Sequence, residues 1–175
     1  MVSPTLRGAA RQVFGALVLL AALLAFGLMT RPAAQALPWV FGFHAVLVAP
    51  LSAFALTFSL RKGLLFSVVV AAIALFSLLL FLMSPVMGAS SLAPMAVASV
   101  AYGALRKSSE RAALVVGGVY GALFYPCTIA SSLALGALPV VVVQDSALVV
   151  LTAMLLGAVL AVLGAVLATS SADKK

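Results

Sequence analysis

The sequence predicts an all-α integral membrane protein, a single bundle of six transmembrane helices with both termini cytoplasmic. Three observations carry this. Of its 175 residues, 66% are hydrophobic and only 7% are charged, whereas a soluble domain carries roughly a quarter charged residues to cover its water-facing surface. The apolar residues run in stretches of the length a helix needs to cross a hydrocarbon core, about 20 residues. The basic residues fall between those stretches in an alternating pattern. Arg7 and Arg11 precede the first span, Arg61 and Lys62 lie in the second loop, Arg106, Lys107 and Arg111 in the fourth, and Lys174 and Lys175 end the chain. The first, third and fifth loops hold only Arg31. Loops on the cytoplasmic side concentrate Lys and Arg, so the even-numbered loops and both ends are expected inside. A missed or invented helix would scramble that alternation.

The spans follow in order. Gln12–Met29 is the first, closed by TRPAAQALP. Arg7, Arg11, an apolar run and AAQA resemble a cleavable signal segment, but the run is long for one, so it is read as a retained helix. Pro38–Leu60 is the second, with Trp39 placed as a headgroup-level anchor. Gly63–Met83 and Ala89–Leu105 follow, separated by MSPVMGASS, an uncharged loop able to fold over a ligand. Arg111–Leu135 and Ser146–Thr169 complete the set. Every break is short, so residues 1–175 form one domain with no linker. The net charge of +7 is distributed as topology signals rather than as a nucleic-acid patch, and no nucleic-acid partner is expected. No internal repeat is visible of the kind secondary transporters carry.

Chemistry-bearing residues are few. There is one histidine, His44, one cysteine, Cys127, and three acids, Glu110, Asp145 and Asp173. No span holds an acidic pair, a metal-ligand cluster or a nucleophile with its base, and no phosphate-binding glycine loop occurs. The expectation is a protein that is not an enzyme and holds no metal or cofactor; one histidine cannot ligate haem from both sides. A carrier working alone would need an ionisable coupling residue at mid-membrane, and none is found there.

The fifth span breaks the aliphatic monotony. In YGALFYPCTIASS, helical phase places Tyr120, Phe124, Cys127, Thr128 and Ser131 on one face, with Gly117, Gly121, Tyr125 and Ser132 beside it. Val119, Ala122, Leu123, Pro126, Ile129, Ala130 and Leu133 form the aliphatic back. Pro126 leaves the Ala122 carbonyl without its helical donor. Two readings stand for the polar front. Small residues four apart let helices approach closely, which suits Gly117 and Gly121. Rings and hydroxyls together also suit a small-molecule pocket, which suits Tyr120, Phe124, Tyr125, Thr128 and Ser131. His44 is either an interfacial residue or a ligand contact. Arg31 is the one basic residue on the outer side, able to meet an anion or simply to sit at a helix end, and Asp145 is either a helix cap or a pocket residue. In the first span Ala21 and Ala25 form A-x-x-x-A, and the sixth repeats small residues at Ala153, Gly157, Ala161 and Ala165; both are seams for tight helix contact, within the bundle or with another subunit.

Six spans, cytoplasmic termini, this length and the A-x-x-x-A of Ala21 and Ala25 resemble the S component of an energy-coupling factor (ECF) transporter, the membrane subunit that captures a vitamin or other micronutrient. The resemblance covers the whole chain in layout. It implies a prokaryotic cell-membrane protein that binds a vitamin-like molecule near the outer face. It also implies that Ala21 and Ala25 dock on a transmembrane coupling subunit driven by ATPase subunits. The alternative is a non-transporting, structural or accessory subunit of a larger membrane complex.

Overall fold

The computed structural model describes residues 4–36, 42–105, 109–138 and 146–173. Six helices fill them: α1 Pro4–Ala36, α2 Phe43–Arg61, α3 Phe66–Met83, α4 Pro85–Leu105, α5 Ser109–Ala134 and α6 Ala147–Asp173. No strand occurs among the described residues. All six are long and apolar enough to cross a membrane. Their outward surface is what lipid demands and water would not tolerate: Phe14, Met29, Leu82, Val100, Leu148 and Leu155 all stand exposed. The protein is a multi-pass, all-helical bundle.

The helices form a ring in which α1 packs on α2 and α3, α3 on α4, α4 on α5, and α5 on α2, with α6 laid against α2 and α5 from outside. Missing side chains make the α2–α5–α6 junction possible. A Cβ added at Gly121 would lie 2.6 Å from the Ala49 carbonyl oxygen and 2.8 Å from Ala161 Cβ, and one at Gly117 would lie 2.6 Å from the Ala53 oxygen. Gly164 meets the backbone of Pro50 in the same way. Ala153, Gly157, Ala161 and Ala165 are all buried, so the small-residue seam of α6 is spent inside the bundle. Without a hydrophobic force between helices in lipid, such close van der Waals approach is what holds them. Hydrogen bonds between helices add to this: Ser91 Oγ donates to Ser77 Oγ at 2.7 Å, and Thr57 Oγ1 to the Ala113 carbonyl at 3.3 Å.

The basic end is tied by polar contacts. Arg61, whose side chain is 11% exposed, pairs with Glu110 at 3.1 Å and with Asp173. Lys62 Nζ donates to the Ala172 carbonyl, Arg11 to the Lys62 carbonyl, and Gln12 holds both Gly63 O and Leu65 N. These contacts bring the start of α1, the α2–α3 turn, the start of α5 and the end of α6 to one end of the bundle, as the charge alternation requires.

Two boundaries differ from expectation. The helix of α1 runs past Pro32 to Ala36, several residues beyond the expected stop at Met29. Pro32 leaves the Leu28 carbonyl without its helical donor, a break that a membrane helix tolerates. MSPVMGASS is not a loop. A single extended residue, Ser84 (φ −160°, ψ 122°), separates α3 from α4. Pro85 then opens α4 at the first helical position, where its missing N–H costs nothing. Gly88 lets the new helix fold back onto Phe81, whose ring occupies the space a Cβ would need.

Candidate functional site

A cavity of about 410 Å³ opens inside the ring at the end opposite the basic one. Its walls come from the second halves of α1, α3 and α5 and the first halves of α2 and α4. Leu23, Leu24, Gly27 and Leu28 of α1 face Phe76, Leu80 and Met83 of α3. His44 and Val48 come from α2, Met87 and Ser90 from α4, and Phe124 from α5. The volume lies within the range of small-molecule sites, about 300–1,000 Å³. The ring itself makes this space, because α2 does not close onto α4 across it.

Local sequence explains each position. Gly42 precedes α2 in the left-handed region (φ 70°), which glycine adopts without strain. It sits against Tyr125 and Thr128, to which a Cβ would approach within 3.5 Å and 3.4 Å. That turn sets His44 one residue into the helix and points the start of α2 at the cavity. The Ser84–Pro85 corner does the same for α4, bringing Met83 and Met87 to the rim and Ser90 to the depth. Ser90 is 2% exposed, and its hydroxyl donates to the Met87 carbonyl at 3.0 Å, leaving its oxygen able to accept.

The lining is overwhelmingly apolar. Among the described residues it holds no Lys, Arg, Asp or Glu, and their polar side chains are the His44 imidazole, the Ser90 hydroxyl and the two thioethers. Among the described residues no three His, Cys, Asp or Glu gather where a metal ion could be held. The site can therefore offer shape, dispersion and one or two hydrogen bonds. An ion placed there would lose its hydration with no opposite charge in return, at several kcal/mol.

Of the residues singled out in the sequence, the structure brings His44 and Phe124 to the cavity. Tyr120, Tyr125, Thr128 and Ser131 are not in its lining. Tyr120 is fully buried with its ring 5.8 Å from that of Phe124, directly behind the wall, and its hydroxyl has no hydrogen-bond partner. Tyr125 is buried against Gly42. Thr128 Oγ1 donates to the Phe124 carbonyl of its own helix at 2.8 Å, and Ser132 does the same to Thr128 at 2.7 Å. Ser131 is half-buried. The expected polar front and aliphatic back are not an inside and an outside, since Ile129 is also buried. Enclosed by α2, α4 and α6, α5 packs on both faces. The side chain of Arg31 and the whole of Asp145 lie outside the described residues. Ala21 and Ala25 stand exposed on the outer face of α1.

The cavity residues that sequence reasoning passed over are mostly leucines, valine and phenylalanine, which carry no individual signal. The methionines and serine of MSPVMGASS were the legible clue, attached there to a loop rather than to a helical corner. The chain matches no protein family, no curated protein and no solved structure.

Proposed function

We propose that this chain is the substrate-capture subunit of an ECF-type importer in a prokaryotic cell membrane. The cavity among α1–α5 would receive a small molecule from the outer face. The observation that carries the reading is that cavity, about 410 Å³ in volume, at the end of the bundle opposite the basic cluster. With the basic end taken as cytoplasmic, the cavity faces outward. Among the described residues its lining carries no Lys, Arg, Asp or Glu, and in this reading the driving force comes from ATPase subunits. Ala21 and Ala25, exposed on α1 and unused in the bundle's own packing, offer a close-approach surface for a transmembrane coupling subunit. No step of catalysis belongs to this chain in this reading. The test is purification from the native membrane followed by native mass spectrometry. A retained small molecule, together with co-elution of a coupling subunit, is expected. A chain that carries neither defeats the proposal.

A second reading, an accessory subunit that only packs within a larger complex, draws on α5. Its hydroxyls bond to their own helix and its glycines serve α2, so the most distinctive segment of the chain is consumed by packing. This reading predicts stable partners and an empty cavity.

A further inference from the structure

We propose that the cavity is filled from the lipid phase by a neutral amphiphile with one small hydroxyl-type headgroup, through a portal between α1 and α3 framed by Gly27, Leu28 and Met83. The proposal rests on the capture reading and specifies its ligand class and route.

Exposure within the lining is graded in one direction. Leu23, Phe76, Ser90 and Phe124 are 1%, 4%, 2% and 6% exposed, whereas Leu28 and Met83 are each 63% exposed. The depth is thus closed and the rim is open at α1 and α3. Both rim residues belong to the candidate spans, Gly8–Thr30 and Phe66–Met83, so this edge of the mouth is formed by membrane helices. A molecule already dissolved in the bilayer meets this opening directly.

Gly27 sharpens the assignment. Glycine inside a helix costs about 1 kcal/mol relative to alanine; a close contact accounts for it at Gly15, Gly88, Gly117, Gly121 and Gly164, whereas Gly8, Gly103 and Gly118, like Gly27, have none, and of these four only Gly27 borders the cavity. A Cβ at Gly27 meets no atom within 4 Å, so no helix contact requires its absence. The bare backbone leaves space at the cavity mouth, and the residue lines the cavity. A side chain there would narrow the portal without disturbing the fold.

The lining also selects the headgroup. Among the described residues the walls carry no Lys, Arg, Asp or Glu, so they give a carboxylate or ammonium no opposite charge, and burying one there would cost several kcal/mol. Ser90 has committed its proton to Met87 and retains an acceptor oxygen, while the apolar walls of α1 and α3 suit a hydrocarbon or prenyl body. A hydroxyl, which both donates and accepts, matches that end.

The test uses the full chain in phosphatidylcholine nanodiscs containing a diazirine-tagged prenyl alcohol as probe. Photolabelling is expected on the segments carrying Phe76, Met87 and Phe124, and excess untagged prenyl alcohol should suppress it. Gly27→Phe should lower the labelling about tenfold, and Gly27→Ala should leave it near wild type. Leu28→Trp at the exposed rim must reproduce the loss, with circular dichroism establishing that both variants are folded. Labelling that prenyl alcohol does not compete, or that survives both portal variants, overturns the proposal. If such labelling fails while native mass spectrometry finds a water-soluble molecule retained by wild type and lost in Val48→Trp, lipid-phase access is refuted and the capture reading stands. If neither molecule is retained, both fall.

Discussion

Gly118 and Gly121 lie one helical turn apart on α5, yet the structure assigns them opposite responses to the same added methyl. A Cβ at Gly118 meets nothing within 4 Å, whereas one at Gly121 falls 2.6 Å from the Ala49 carbonyl oxygen, 2.8 Å from Ala161 Cβ and 3.0 Å from Ala53 Cβ. Replacing a helical glycine with alanine gains up to about 1 kcal/mol where there is room. At Gly121 the methyl must retreat by several tenths of an ångström from backbone on α2 and a side chain on α6 together. Neither partner is a flexible side-chain end. Overpacking of this sort costs about 1–3 kcal/mol, which exceeds or cancels the helical gain. Gly118→Ala should therefore be as stable as wild type or more so, and Gly121→Ala should fall below Gly118→Ala by about 1–3 kcal/mol. The assay is titration with sodium dodecyl sulfate in mixed micelles, followed by far-UV circular dichroism. Equal stability of the two variants would refute the claim that α2, α5 and α6 are held together at backbone contact.

Three further outcomes follow from the same contacts. Tyr120→Phe removes a buried hydroxyl that has no partner, so it should leave stability unchanged or raise it by about 1 kcal/mol in the same titration; a clear loss would mean the hydroxyl is bonded. Arg61→Ala frees Glu110 and Asp173, whose side chains are 77% and 64% exposed. Exposed pairs contribute about 0–1 kcal/mol each and are screened by salt, so a modest drop in melting temperature should shrink as salt is raised. Ser77→Ala breaks the hydrogen bond with Ser91 between α3 and α4 and should cost about 0.6 kcal/mol, the average for such bonds in membrane proteins; no change would indicate that the two serines do not bond.

Much of the scaffold could be read from the sequence because lipid imposes simple demands. Apolar length fixed where helices cross, and the alternation of Arg and Lys tied Arg61, Lys62 and the chain ends to one side, where Arg61 now pairs with Glu110 and Asp173. The glycines of α5 were legible as packing residues because backbone approach has a spacing. The turn at Ser84 was not legible, because a proline followed by methionine and glycine looks like loop chemistry, while here proline starts a helix and Gly88 makes room for Phe81. The cavity was legible only in part. His44 and Phe124 stood out by type, but Leu24, Phe76 and Leu80 resemble every other apolar residue of the chain, and only the ring of helices brings them together. Periodicity along α5 could separate two faces. It could not show that both would be covered, since that depends on α4 and α6 lying on either side.

Substrate capture requires an occupied site among α1–α5. The most direct measurement is an experimental structure of the chain purified from its native membrane into nanodiscs, at a resolution that shows side chains. The account predicts density for a small, uncharged molecule bounded by Phe76, Phe124, His44 and Ser90, with Leu28 and Met83 at its outer edge. A cavity closed by inward rotation of Phe76 and Phe124, with α1 drawn against α4, would contradict it.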